Sequence, residues 1–390
     1  MARKKKQLKA VRAAEARKRR RNRKRKRAII LAVEIIVLLL LSGTAYVMAK
    51  FDKFDTVEIN QDDLEINQGA VKEGYTTVAL FGIDTRSGKA EETGTRTDTI
   101  ILVSIDNKTK EVRMSSVYRD TILQQEDGTY NKVNAAYALG GPKGAINVLN
   151  KNLDLDIEDY ATVDFKAMSD AIDLLGGVEL YVTEPEANML NKYVKETAKA
   201  AGKKANLLSG EGTYTLDGPQ AVTYARLRKL EGGDYKRTER QRTLIKALLA
   251  KAKQIDLFTV NEIIDTVFPQ ISTSFTLSEV VELASGLMSY ELMGSEGFPF
   301  DKTDAVRYHN ASVVIALGLA ENVEDLHEFL YPNEEKTGVS ETVQTISNEI
   351  SYTTGVVRPA ELDMEDTTEE EEQTDSSTPV ITNADGSASQ

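Results

Sequence analysis

The 390-residue chain has no cysteine, no tryptophan and only two histidines, His309 and His327. Without cysteine there can be no disulfide framework, thiol nucleophile, cysteine-based zinc site or iron–sulfur cluster. Two histidines nearly exclude a multi-histidine metal site and most Ser-His-Asp schemes. The length allows one large domain or two modest ones, with enough chain for a real core.

Charge of one sign is scarce only in places. The net charge of −12 and the acidic isoelectric point suggest an ordinary soluble protein. Residues 1–27, however, hold 16 Lys and Arg against one acid, Glu15, for +15. Residues 28–49 contain one charge, Glu34, and residues 50–390 carry −26. The stretch Ala28–Ala49 is otherwise apolar, and at about 1.5 Å per residue its 22 residues suffice as a helix to span a bilayer core. The basic block before it places that end in the cytoplasm, so the chain from Lys50 onward is expected outside the cell membrane. A cleaved signal peptide is the competing reading, but its apolar stretch usually runs about 7–15 residues. Glu34 reads as a tolerated position near the cytoplasmic end of the span, or as a polar contact with another membrane helix. Beside an apolar span, the basic head reads as a topology signal and an anionic-lipid contact rather than a nucleic-acid arm. A Cys-free exported part behind one anchor fits a Gram-positive bacterial surface.

The exported part divides by composition. Residues 50–75 are polar and acidic and read as an extracellular stalk. Thr77–Phe81 and Thr99–Val103 are short, nearly continuous apolar runs, as expected of strands covered on both faces; Val112–Val117 is a third. A helix is expected after the Gly140-Gly141-Pro142 turn, a strand over Tyr160–Phe165, a helix over Lys166–Leu175 and a strand over Val178–Val182. Thr243–Ile255 is strongly amphipathic, and Asp256–Pro332 continues with helix-like patterns. This alternation argues for an α/β fold with helices packed on both sides of a mixed sheet. From Glu361 the last thirty residues hold ten acids and no aromatic, which predicts disorder.

The exported part has 22 Lys but only 11 Arg, and nine of those Arg fall in three windows. They are Arg86 and Arg96; Arg113 and Arg119; and Arg226, Arg228, Arg237, Arg240 and Arg242. Converging guanidinium forks can hold and neutralise a pyrophosphate. Taken singly, each is as well explained by a surface ion pair of little energetic weight; taken together they point to one shared anion site. Asp84 follows one apolar run and Asp98 precedes the next, so adjacent strands can bring both carboxylates to one sheet edge. Carboxylates beside arginines suit a Mg²⁺ shared with phosphate oxygens, although either Asp also reads as a turn or cap residue. A helix starting near Asp234 sets Asp234, Arg237 and Gln241 on one face at its N-terminus, where the dipole favours anions. Asp234 can equally be a simple N-cap.

The segments GIDTR, RTDTIILVSID, YRDT, KVNAAYALGG, DGPQAVTYARLRKL and GDYKRTERQ, in this order behind one anchor, resemble the LytR–CpsA–Psr family of bacterial cell-wall proteins. The likeness runs from about Thr76 to Ile350. It departs at Tyr118, where the family commonly has proline, and in a slightly long loop between Asp84 and Asp98. The resemblance implies an α-β-α sandwich with a deep apolar pocket for a polyprenyl chain. It also implies Mg²⁺-dependent transfer of a glycopolymer, of the teichoic-acid or capsular-polysaccharide kind, from an undecaprenyl-pyrophosphate carrier to a peptidoglycan hydroxyl. Carried onto this chain, Asp84 and Asp98 match the metal-associated acids. Arg96, Arg119, Arg226, Arg228 and Arg237 match the pyrophosphate-facing arginines, Gln241 a polar partner, and Asp234 a group that could orient or deprotonate the acceptor, with Arg119 and Arg226 as catalytic cations.

Phosphoryl transfer needs positioning and cationic stabilisation rather than a protein nucleophile, so a chain without Cys and nearly without His can perform it. The expected organisation is a basic cytoplasmic segment over 1–27, a single transmembrane helix over 28–49, a stalk over 50–75, a catalytic domain over 76–352 and an acidic tail over 353–390. Two rivals keep the fold: a polyprenyl-pyrophosphate hydrolase, and a non-catalytic envelope regulator whose arginines capture polyprenyl phosphate. A nucleic-acid partner is not expected, since the −26 part repels a phosphate backbone.

Overall fold

The computed structural model describes residues 48–49, 55–57, 59–70, 72–83, 95–360 and 362. The chain divides into two units, residues 1–55 and 56–390. Of the first, only the helical pair Met48–Ala49 and the strand residue Asp55 are described, so the span expected over 28–49 and Glu34 lie outside the description or nearly so. The described residues contain no helix long and apolar enough to cross a membrane. The expected metal ligand Asp84, Arg86 and nearly all of the tail after Ala360 also lie outside.

The strands are β1 (Asp55–Thr56), β2 (Tyr75–Ile83), β3 (Thr97–Asp106), β4 (Glu111–Val117), β5 (Ile122–Gln124), β6 (Tyr130–Lys132), β7 (Asp159–Asp164), β8 (Val178–Val182), β9 (Gly212–Leu216), β10 (Ile271–Thr273) and β11 (Glu291–Phe298), followed by the two-residue strands β12 (Lys302–Thr303), β13 (Arg307–Tyr308), β14 (Ala311–Ser312) and β15 (Ile315–Ala316). The helices are α1 (Asn134–Leu153), α2 (Phe165–Leu174), α3 (Glu184–Ala200), α4 (Gly218–Arg226), α5 (Gly233–Ala252), α6 (Leu257–Thr266), α7 (Leu277–Gly286), α8 (Leu319–Leu330) and α9 (Glu341–Thr354). Seven strands form one mixed sheet in the order β1-β10-β7-β2-β3-β4-β11. β2 pairs antiparallel with β3 and parallel with β7, and β11 lies parallel to β4 at the edge.

Both sheet faces are covered, which explains the unbroken apolar runs. Ala79, Phe81, Ile83, Ile100 and Leu102 pack with Ile146, Leu149 and Leu153 of α1, with α8 and with α9. The opposite face meets α5 and α2, behind which the two-stranded antiparallel β8–β9 sheet, α3 and α4 build a second core around Leu190, Val194, Leu216, Val222 and Leu244. The arrangement is a helix–sheet–helix sandwich.

A helix follows the Gly140-Gly141-Pro142 turn as expected: Gly141, at φ 64° and ψ −157°, is non-helical and separates it from a shorter helix that begins at Asn134. Two expectations need correction. The stretch 256–332 is not helical throughout, because Glu291–Phe298 is an edge strand whose glycines break the apolar pattern of a buried strand. And the segment over 50–75 does not stand off as a stalk throughout: Val57, Ile59 and Leu64 pack on the main core, Ala70 is buried and Asn67 Nδ2 donates to Asp154 Oδ1 at 2.6 Å.

Candidate functional site

The site grows from the ends of three elements. Asp98 is the second residue of β3, Arg119 lies two residues beyond β4, and α5 brings Asp234 and Arg237. The α5 helix starts from Gly232, at φ 78°, and Gly233, at φ 48°. Both are left-handed conformations that glycine adopts without steric cost. Asp234 is therefore a first-turn residue, not the N-cap. Arg237 follows it by three positions and faces it.

The pairing within the cluster is dense. Arg119 Nη1 donates to Asp98 Oδ1. Its Nε lies 3.6 Å from Asp120 Oδ2 and 3.9 Å from Asp234 Oδ2. Arg237 Nη2 donates both to the Asp98 backbone carbonyl and to Asp234 Oδ2, each at 3.0 Å. Arg228 Nε lies 3.0 Å from Asp234 Oδ1. Asp120 is shared in turn with Lys132 at 2.8 Å. Asp234 thus stands among three guanidinium groups.

Arg237 is only 3% exposed. Burial, reinforced by repulsion from Arg119 and Arg228 and opposed by Asp234, pulls its pKa down to about 10, so it remains a cation at neutral pH. Burial also depresses Arg119, but the Asp98, Asp234 and Asp120 carboxylates outweigh it and hold that pKa above the usual value. Three atoms of this cluster are buried without a hydrogen-bond partner: Arg119 Nε, Arg237 Nε and Asp234 Oδ1. Orphaned donors on buried guanidinium groups are costly unless a ligand completes them, and an anion is what two such donors would take.

Beside the cluster lies an apolar cavity of about 290 Å³ between the sheet and α5. Leu80, Ile101 and Val163 form its sheet wall, and Leu244, Ile245 and Leu248 its helix wall. Gly82 belongs to that wall because a Cβ there would sit 2.8 Å from Thr99 Cβ. Arg226 and Gln241 also line it, with the Arg226 guanidinium 4.1 Å from the Phe165 ring centre. Cavity and cluster touch in sequence at two points: Thr99 of the wall follows Asp98, and Gln241 lies one turn beyond Arg237.

The structure therefore brings Asp98, Arg119, Arg228, Asp234 and Arg237 together and places Arg226 and Gln241 in the adjoining cavity wall. Arg96 is exposed, two residues before Asp98. The nine clustered arginines do not all serve one site. Arg113 pairs with Glu111 on its own strand at 3.1 Å. Arg240 is buried against Glu186 at 2.6 Å and donates to the Leu227 carbonyl, bracing α5 against α3. Sequence reasoning missed Asp120 and Phe165. The first sits in the quoted YRDT segment and was legible as a second acid; the second, the opening residue of α2, carried no signal.

Comparison with known proteins gives the family and the fold. The LytR_cpsA_psr family matches residues 42–317. The polyisoprenyl-teichoic acid–peptidoglycan teichoic acid transferase TagT of Bacillus subtilis is 27% identical over 230 residues, 58% of this chain and 69% of TagT. The transferase TagU of Halalkalibacterium halodurans is 31% identical over 214 residues, 54% of this chain and 64% of TagU. The chain thus spans roughly two thirds of the length of these relatives. A solved structure of TagT bound to LIIa-WTA shares the fold, with a TM-score of 0.51, 20% identity and coverage of 77% of this chain and 100% of that one. With most of its length matched and the relatives being transferases, this chain belongs to the LytR_cpsA_psr family.

Proposed function

We propose that this protein is a membrane-anchored phosphotransferase that moves a glycopolymer from an undecaprenyl-pyrophosphate carrier to a peptidoglycan hydroxyl on the outer face of the cell membrane. The observation that carries the reading is an apolar cavity opening beside a buried arginine–carboxylate cluster with unpartnered guanidinium N–H groups. A prenyl pyrophosphate has that composition: an apolar chain next to a dense anion. The names of the teichoic acid transferases similar to this chain support the same class of reaction.

In this reading the prenyl chain lies along Leu80, Ile101, Leu244 and Leu248. Arg226, Arg228, Arg237, Arg119 and Arg96 hold the pyrophosphate oxygens, and Gln241 donates at the cavity edge. Asp234 takes the acceptor hydroxyl proton. The acceptor oxygen forms a bond to the phosphorus nearer the sugar, the bridging P–O bond breaks, and prenyl phosphate leaves with its charge balanced by the arginines.

Of the two acids expected to hold Mg²⁺, Asp98 is described, a carboxylate that also accepts from Arg119, and Asp84 lies outside the described residues. Among the described residues no group of three or more acids or histidines is gathered for a metal. Mg²⁺ does not require one, since it commonly takes one or two carboxylates and completes its shell with water and phosphate oxygens. Asp98, beside the arginines, and Asp84 would hold it, and when bound it supplies charge neutralisation on the pyrophosphate.

The test uses the full chain in nanodiscs with glycan-labelled lipid-pyrophosphate donor, Mg²⁺ and peptidoglycan. Label joined covalently to glycan strands is the expected result. Release of a free sugar phosphate would instead establish a hydrolase, and retention of intact donor a binding protein; either overturns transfer.

A further inference from the structure

Positive charge gathers at one further place, on α3 and in the loop after α4. Residues 192–204 hold five Lys against one acid, Glu196, although residues 50–390 as a whole carry −26. Lys192, Lys195 and Lys199 are exposed and fall at i, i+3 and i+7, on the face opposite the buried Leu190, Val194 and Thr197. Lys204 is exposed just beyond the helix, and Lys229 is exposed in the loop that leads from α4 to α5. Lys229 Nζ lies 5.8 Å from the centre of the Tyr193 ring, and Lys192 Nζ lies 5.7 Å from the same centre. One ring thus holds cations from two elements near each other, at distances where its quadrupole attracts both.

These lysines are not spent on ion pairs. On other elements Lys143, Lys151, Lys166 and Lys336 each pair with a carboxylate, at 2.8 to 3.6 Å. Lys203, in the same run, pairs with Asp170 and Asp173, both at 2.7 Å. Lys192, Lys195, Lys199, Lys204 and Lys229 pair with no carboxylate among the described residues. Singly, each is an ordinary solvated lysine. Together they act as one field: Lys192 and Lys199 are about 10.5 Å apart along the helix axis, roughly one Debye length at physiological salt. A ligand with several anions gathers such charges at once and releases their counterions, which a single ion pair cannot do. The ridge also starts at the arginine cluster. Around Asp234 the side chains of Arg119 and Arg237 are 15% and 3% exposed, whereas that of Arg228 is 44% exposed. Lys229 follows Arg228 directly.

We propose that this ridge, from Lys229 over Tyr193 and Lys192 to Lys199, binds the phosphate groups of successive repeats of the donor polymer where the polymer leaves the arginine cluster. The proposal rests on the transfer reading above and adds a binding surface outside the pyrophosphate site. An anionic bilayer carries the same charge, but continuity with Arg228 favours the polymer, whose pyrophosphate end is held there in that reading. Because each further repeat meets a further lysine, donor affinity rises with polymer length and falls steeply with salt. A polymer without charged repeats gains nothing from the ridge.

The experiment uses the full chain in phosphatidylcholine nanodiscs. The probes are short and long soluble poly(glycerol phosphate) oligomers, a neutral dextran oligomer, and a prenyl pyrophosphate that carries no polymer. The parent is compared with the triple variant Lys192→Gln, Lys195→Gln, Lys199→Gln and with the triple variant Lys192→Arg, Lys195→Arg, Lys199→Arg. All three positions are exposed, so the substitutions leave the packing alone. The parent is expected to bind the long oligomer more tightly than the short one, and the dextran far more weakly than either. The glutamine variant is expected to lose about tenfold or more in long-oligomer affinity, with the slope of log K against log salt reduced by about two to three. Its Kd for the prenyl pyrophosphate is expected to stay within twofold. The arginine variant keeps the charge and is expected to bind like the parent. Equal long-oligomer affinity and salt slope in the parent and the glutamine variant would overturn the proposal. So would dextran binding as tight as that of the oligomers, or a prenyl-pyrophosphate Kd weakened in step. Loss of oligomer binding once phosphatidylglycerol enters the nanodisc would assign the ridge to the bilayer and overturn it too. None of these measurements needs turnover: a parent that transfers nothing overturns the transfer reading by itself, and oligomer binding still decides what the ridge holds.

Discussion

Arg237 illustrates at single-residue scale how structural and ligand-directed hydrogen bonds can be separated. Its Nη2 makes both internal contacts, to the Asp98 carbonyl and to Asp234, while Nε is buried and unpartnered. A lysine ammonium has three N–H donors on one nitrogen and can keep the internal contacts, but it places no donor at the Nε position. Arg237→Lys is therefore expected to melt within a few degrees of the parent while binding a prenyl-pyrophosphate donor roughly 10- to 100-fold more weakly, as losing a charge-assisted hydrogen bond predicts. Calorimetry and donor titration on one preparation check it. A parent-like donor Kd would show that Nε does not face the anion.

His327 tests a joint between elements. It lies on α8, donates through Nε2 to the Leu153 carbonyl at 2.9 Å where α1 ends, and burial pushes its pKa below the usual value. The folded state therefore disfavours the imidazolium, and the unfolded chain binds the extra proton first. Stability from this group is complete above the unfolded pKa of about 6.5 and falls as pH drops from there toward the lowered folded value. Urea midpoints at pH 5.5 and 7.5 are expected to differ in that direction, and His327→Gln is expected to shrink the difference. Half-buried Asp156 and Asp159, whose pKa values desolvation raises, gain relative stability on acidification, so only the parent-minus-variant difference isolates the histidine.

Elements differed in how far sequence revealed them. β2, β3 and β4 were legible because both sheet faces are covered, leaving apolar runs without polar alternation. β11 was not, because an edge strand with Gly294 and Gly297 carries its reason elsewhere: those glycines make room for Phe329 and Tyr118, contacts between residues distant in sequence. The same limit applied to the site. Asp234 and Arg237 could be paired from their spacing on one helix, and their closure on Asp98 depends on how α5 lies across the sheet. Arg240 and Arg113 looked like members of the cluster because composition cannot tell which way a guanidinium turns; Glu186 and Glu111 claim them.

For the whole molecule, the charge partition makes a topological prediction. Residues 1–27 at +15, an apolar stretch with one charge, and −26 beyond it read as a cytoplasmic head, a span and an exterior. A lipid-linked donor at the outer leaflet and an acceptor in the wall require the arginine cluster on that same side. The absence of native cysteine makes the arrangement directly measurable, since one introduced thiol is the only one present. In Gram-positive cells expressing the full chain, Ser377→Cys is expected to react with a membrane-impermeant maleimide before lysis. Gln7→Cys is expected to react only afterwards. Labelling of Gln7→Cys in intact cells, or protection of Ser377→Cys, would put the two ends on other sides and leave the proposed donor out of reach of Arg226 and Arg237. Protection at both positions until lysis would make the chain cytoplasmic and remove the membrane reading altogether.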